Sequence, residues 1–298
     1  MIRLKFVMII LILLIPTARR SIAQDAEETP EVEVFRDSRG IPMVYIPDGD
    51  FHGGIEVDDA INQCLTLIKN EGFPPFDPKL ICDKDFLLES RNEPIERDMQ
   101  AFYMDQYEVS RGDYLACIKV DVCSSEPLEW VPNNLPDIDP IQYASYIDAA
   151  IYCAWREARL PNILEWEYAA RGPKGLTYVW GNEFNGNLTN HCDVHCKVLG
   201  EGIASPSIWD DGYSEVGPVD AFKGDKSWAG IYNLAGNISE WTATMPRRDT
   251  PSYWDIRLVK GGSYDAYPYM TAAWFTQERS VGAGSANVGF RCVRTSKP

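Results

Sequence analysis

A chain of 298 residues with 45% hydrophobic residues and nine tryptophans can bury a sizeable core, and its length suits one large domain. Its 44 acidic residues outnumber 28 basic ones, for a formal net charge of −16. Such a surface repels nucleic acid and anionic membranes and suits solubility and metal cations, so neither a nucleic-acid partner nor stable membrane insertion is expected.

The first predicted element is a signal peptide. Arg3 and Lys5 precede an apolar stretch from Phe6 to Pro16, and Ser21-Ile22-Ala23 supplies small residues just ahead of an acidic segment. The apolar run is shorter than the ~20 residues a membrane span needs, so residues 1–23 read as a secretory signal cut near Ala23, with the product secreted or periplasmic. Cleavage removes four basic and no acidic residues, leaving 24 against 44 and a net charge of −20. Residues 24–40 are charged, contain proline and lack an apolar period, which predicts a flexible acidic leader.

The domain then runs over residues 41–298. Ile41 to Ile46 has strand character, and Pro47-Asp48-Gly49-Asp50 supplies a turn. Residues 58–70 predict a helix with Ile61, Cys64, Leu65 and Ile68 on one face, and with Cys82 they form an insertion at about 57–90. Ser110 followed by Asp113 opens a helix carrying Tyr114 and Cys117. Ser145 followed by Asp148 opens a stronger one, with Ile147, Ile151, Ala154, Trp155 and Ala158 spaced to face a core, and Pro161 ends it. Asn162 and Glu165 cap "ILEWEYAARG", with Gly172 as the stop. Beyond that point lie Gly, Asn, Asp and Trp-rich loops and short strands at 257–261 and 288–293. The sum is an α+β domain with helices in its first half, much ordered loop and no internal repeat.

All eight cysteines follow the apolar leader, and an even count in an exported chain predicts four disulfides. Proximity suggests Cys117 with Cys123, Cys192 with Cys196, and Cys64 with Cys82, which leaves Cys153 with Cys292. "HCDVHC" offers a competing zinc reading through His191, Cys192, His195 and Cys196, but the spacing and the oxidising compartment favour a local disulfide. Asn187 and Asn237 open glycosylation sequons, to which no function is assigned.

Four blocks occur in order: "FYMDQYEVSRGDY", "DAAIYCAWREARLPNILEWEYAARG", "YVWGNEF" and "GIYNLAGNISEW", followed by "LVKGGSY" and "NVGFRC". Together they resemble the formylglycine-generating enzyme (sulfatase-modifying factor) domain family over about Ile41 to Arg294. The resemblance implies a single α+β domain with few regular elements, C-type-lectin-like and stabilised by calcium and disulfides. In the family "NLAGNISEW" is a calcium site, which carries over to the side chains of Asn233 and Glu240 and the carbonyls of Gly236 and Ile238. A hard cation wants six to eight oxygens, and a loop mixing side-chain and carbonyl donors supplies them. A looser match gives a second calcium set: Asn190, the His191 carbonyl, Asp211 and the Tyr213 carbonyl.

The oxidase members of the family carry two copper(I)-binding cysteines a few residues beyond "GGSY". Alignment on Gly261 to Tyr264 places Ala266 and Thr271 there, so copper is not expected: soft thiolates are the ligands that ion requires. The family's basic residues further along meet Ala273 and Phe275, and Arg279 is retained. Three histidines, His52, His191 and His195, do not suggest an iron facial triad. The stretch instead offers Tyr264, Asp265, Tyr267, Tyr269, Trp274 and Arg279 as ligand-binding candidates, since exposed aromatic clusters favour recognition of sugars, peptides or protein surfaces. Target proteins of diversity-generating retroelements share the fold and this C-terminal region. Two functions stay open: an exported pseudoenzyme or binding module for a protein, peptide or glycan, and an oxidase or other modifying enzyme with an unidentified site.

Overall fold

The computed structural model describes residues 32–71, 82–132, 134–196, 207–246 and 255–298. The expected signal peptide lies outside them. Among the described residues, ten short strands and six α-helices pack about three clusters of buried hydrophobic side chains. The first sheet has the order β1-β2-β5-β10, from β1 (Val34–Arg36), β2 (Pro42–Ile46), β5 (Phe102–Asp105) and β10 (Val293–Arg294), all antiparallel. A two-stranded ladder joins β3 (Gly49–Gly53) to β4 (Ile95–Met99). The third sheet has the order β8-β7-β6-β9, from β6 (Ser239–Trp241), β7 (Ile256–Lys260), β8 (Thr276–Ser280) and β9 (Val288–Gly289), with β6 and β9 parallel. The α+β class is as expected.

The helices are α1 (Val57–Glu71), α2 (Lys84–Glu89), α3 (Arg111–Ile118), α4 (Glu126–Glu129), α5 (Tyr146–Trp155) and α6 (Ile163–Arg171). Their starts follow the capping signals. The Ser145 hydroxyl accepts from the Asp148 N–H while Asp148 returns a bond to the Ser145 N–H, and Asn162 and Glu165 do the same at α6. Gly172 stops α6 at φ 64°, where a Cβ would lie 2.7 Å from the Trp228 ring, so only glycine fits.

Three sequence expectations change. The leader is not unstructured to Gly40: residues 34–36 form β1, and Asp37 is buried beneath them. On α5, Ile147 and Ile151 are exposed, and the inward stripe is Ala149, Tyr152 and Cys153. On α1 the inward residues are Ala60, Cys64, Leu67 and Ile68, while Leu65 faces out. On α5 the inward stripe is displaced from the one the apolar pattern picks out, whereas on α1 Cys64 and Ile68 face inward as expected and Leu67 takes the place of Leu65.

The four expected disulfides all form: Cys64–Cys82, Cys117–Cys123, Cys153–Cys292 and Cys192–Cys196. The third closes a separation of 139 residues and fastens α5 to the chain just before β10. Beside it Arg156, fully buried, donates from Nε to Asp37 at 2.8 Å and from both terminal nitrogens to Asp105 at 2.7 Å. Burial alone would disfavour its charge, but Asp105 and Asp37 hold its pKa above the ordinary value. Removing one partner of a buried ion pair strands the other. Asp37→Ala is therefore expected to lower unfolding free energy by about 3 kcal/mol in urea titration; a loss below about 1 kcal/mol would contradict a structural role for the leader.

Candidate functional site

The "NLAGNISEW" loop leads into β6 and lies against the chain around Asn190. Asn233 and Asn237 both take left-handed backbone conformations, φ 59° and 68°, which asparagine tolerates better than most residues. Between them Gly236 permits a close crossing: a Cβ there would lie 2.1 Å from the Asn190 carbonyl oxygen. The crossing is locked by Asn237 N–H donating to the Asn190 carbonyl at 2.9 Å and by Asn190 Nδ2 donating to Asn237 Oδ1 at 3.1 Å. The two expected calcium sets, read as separate motifs, are thus neighbours.

Their side chains meet the needs of a hard cation unequally. Asn233 Oδ1 and Asn190 Oδ1 are both buried without a hydrogen-bond partner, as a metal-ligand oxygen would be before the ion binds. Asp211 accepts from the His191 and Tyr213 N–H groups at 3.0 and 2.9 Å, which gathers the second set, and burial pushes its carboxyl up to about 6. That set fits calcium. In the first set, the Gly236 carbonyl already accepts from the Ile238 N–H at 2.9 Å. Glu240 fits poorly: Oε1 accepts from Arg291 Nη2 at 2.6 Å, and Oε2 from Trp166 Nε1 and Arg291 Nε at 2.8 Å. Its charge is spent on a buried guanidinium.

A carboxylate that the sequence reading did not single out sits beside this loop. Glu108 is 2% exposed and accepts from Asn233 Nδ2 at 2.8 Å and Asn237 Nδ2 at 3.0 Å. Burial pushes its carboxyl up to about 8, against the pull of the Arg291 charge. It lies within the quoted block "FYMDQYEVSRGDY", but nothing local marks it as facing a loop 125 residues away.

The segment after "GGSY" is held to the same loops. Tyr264 N–H donates to the Asn237 carbonyl and Cys192 N–H to the Ala266 carbonyl. Ala266 and Thr271 are 3% and 0% exposed, and the Thr271 hydroxyl donates to the Pro268 carbonyl at 2.7 Å. Clefts of 470 and 520 Å³ flank Arg171 and Asn92 respectively, and neither reaches these two residues. Two ligand-binding candidates are corrected. Tyr269 and Trp274 are 5% and 1% exposed, because α1 packs over them and Gln63 accepts from Trp274 Nε1 at 2.8 Å. Tyr264, Asp265, Tyr267 and Arg279 stay half-buried near the surface. There Asn287 donates to both oxygens of Asp265 at 3.1 Å, and Arg279 donates to Gln277 at 2.6 Å.

The histidines do not converge. His52 is exposed beside Glu96, His191 is buried against Phe184, and His195 meets Asp210 at 3.0 Å. Asp193, His195 and Asp210 bring ligand atoms within 4.8 Å of one another, with Asp193 buried and the other two exposed. The zinc set with Cys192 and Cys196 is excluded by their disulfide.

The sequence profile of the sulfatase-modifying factor enzyme 1-like domain matches residues 30–296. The chain belongs to that family. It is 37% identical over 164 residues to the mouse "Inactive C-alpha-formylglycine-generating enzyme 2", covering 53% of this chain and 49% of that one. It is 31% identical over 174 residues to the bovine formylglycine-generating enzyme, covering 53% and 45%. The chain thus spans about half the length of these curated relatives. Among solved structures, PvdO from Pseudomonas aeruginosa shares the fold at a TM-score of 0.62 and 18% identity, over 89% of this chain and 98% of that one. Treponema denticola variable protein 1 does so at 0.58 and 15%, over 90% and 100%.

Against the family's copper centre, the donor set fails. Both aligned positions lack sulfur, and every cysteine of the chain is in a disulfide. Thiol labelling of the unfolded, unreduced protein is accordingly expected to find no free cysteine; labelling at Cys153 or Cys292 would remove the long-range staple, and labelling at Cys192 and Cys196 would reopen the zinc reading.

Proposed function

We propose that this chain is an exported, non-catalytic member of the family that binds a protein, peptide or glycan instead of oxidising one. The observation that carries the reading is the state of sulfur. Copper(I) needs soft thiolate ligands, and a methyl group at Ala266 and a hydroxyl at Thr271 do not replace them. No cysteine elsewhere is free to move in. The missing part is the redox centre itself, so retained substrate contacts cannot compensate.

Packing supports the same conclusion. The disulfide-stapled insertion covers Tyr269, Ala272, Trp274 and Phe275, so the face beside Thr271 is filled with side chains. What stays accessible is the rim formed by Tyr264, Asp265, Tyr267 and Arg279, an amphipathic patch of the kind used for recognition. The mouse relative's name, with its word "inactive", is in keeping with this reading. Export is supported by four disulfides, which persist in oxidising compartments. Among the described residues no helix is long and apolar enough to cross a membrane.

The test is turnover. Copper-loaded protein incubated with a sulfatase-type CxPxR peptide is expected to leave the peptide mass unchanged, and conversion of its cysteine to the aldehyde would defeat the proposal. Activity gained by Ala266→Cys/Thr271→Cys, with an inert wild type, would show that the centre alone had been lost.

A further inference from the structure

A carboxyl group taken out of water is paired with a cation or coordinates a metal. Asp193 is 1% exposed and lies inside the short loop closed by the Cys192–Cys196 disulfide. Its two oxygens accept from the His195 N–H at 2.7 Å and the Asp211 N–H at 2.8 Å, and among the described residues it has no ion pair. Each oxygen of a carboxylate has two lone-pair sites, so both keep one to give. Further donor atoms gather beside it. His195, from the same loop, and Asp210, from the facing segment, bring theirs within 4.8 Å. His195 Nε2 stands 3.0 Å from Asp210 Oδ1, an oxygen that also accepts from the Gly212 N–H at 3.1 Å. Two ligands of one tetrahedral zinc ion, each ~2.0–2.2 Å from the metal, sit ~3–3.5 Å apart, so this pair already has the spacing of neighbours in a coordination shell. An exposed hydrogen bond between His195 and Asp210 alone contributes little and leaves Asp193 without a cation.

We propose that Asp193, His195 and Asp210 form a Zn²⁺ site that shares no ligand with either expected calcium set. The imidazole decides the class of ion: calcium takes oxygen donors, whereas a nitrogen beside two carboxylates suits zinc. The site keeps one histidine of the "HCDVHC" motif and replaces the two sulfurs, which are bonded to each other, with carboxylates. Three protein ligands leave the fourth position of a tetrahedral ion to water. His195 and Asp210 are exposed, which gives the ion a path in, and the acidic surface draws cations toward it. The site does not depend on whether the protein is catalytic.

The test is a zinc titration of the intact, disulfide-bonded protein in excess Ca²⁺, read by calorimetry and by thermal unfolding. Wild type is expected to bind one Zn²⁺ per chain and to melt higher with it. His195→Ala and Asp210→Asn change exposed side chains, so both are expected to melt as wild type without zinc and to bind it at least about tenfold more weakly. His52→Ala, at the other exposed histidine, is expected to bind as wild type. A wild type that takes up no zinc, unchanged binding by His195→Ala, or an equal loss in His52→Ala would each overturn the proposal. Should either ligand variant fail to fold, the zinc absorption-edge spectrum of the loaded wild type decides: nitrogen and oxygen donors at ~2.0–2.2 Å support the site, and sulfur at ~2.3 Å refutes it.

Discussion

The ion pair between Glu240 and Arg291 is the point on which the surrounding architecture converges. Arg291 donates to both Glu240 oxygens and also to the carbonyls of Asp105 and Tyr232, while Trp166 from α6 closes the remaining side of the carboxylate. One guanidinium thereby joins the end of β5, the start of the "NLAGNISEW" loop and the middle of β6. Neither partner reaches water, and Glu240 raises the Arg291 pKa against the cost of burial. A pair so enclosed is costly to break and geometrically exacting, so it fixes where β6 runs and how the loop before it must turn.

That constraint is independent of the two positions, Ala266 and Thr271, that align with the family's cysteines. Trp166, Trp241 and Trp274 are buried in hydrophobic clusters that include neither Ala266 nor Thr271. The hydrogen bonds that shape the loop, such as Tyr264 N–H to the Asn237 carbonyl and Cys192 N–H to the Ala266 carbonyl, run between backbone groups and need no sulfur at either position. The insertion's α1 docks on Tyr269, Trp274 and Phe275. A second buried ion network, Lys260 with Glu167 and Arg171, holds β7 to α6 on the other side of Trp166. Burial lowers the Lys260 pKa to about 8 despite Glu167.

Local chemistry was legible in the sequence and long-range pairing was not. The caps at Ser145 and Asn162 could be read because their partners lie three residues away. The disulfides could be read because three pairs are close in sequence, and the fourth followed from what was left. The Arg156 network joins residues 119 and 51 positions apart, and nothing in the charged leader marks Asp37 as its buried member. The apolar residues of α5 misled for a related reason. Ile147 and Ile151 are the branched aliphatic residues of the helix, but the inward face belongs to Ala149, Tyr152 and Cys153, the last of which is bonded to Cys292. Asn190 and Asn233, two of the expected calcium positions, each keep an unpartnered Oδ1, yet the commitment of Glu240 to Arg291 and the contact of Glu108 with Asn233 appear only once the chain is folded.

The account rests on the claim that the family's fold persists here without a thiolate centre. Its most direct test is a copper(I) titration of the intact, disulfide-bonded protein against a competing chelator, followed by the chelate's absorbance. With Ala266 and Thr271 in place of the cysteines, the chelator is expected to keep its copper throughout. Withdrawal of one copper per chain by the protein would contradict the account, because every cysteine is in a disulfide and no thiolate pair is left to hold the ion.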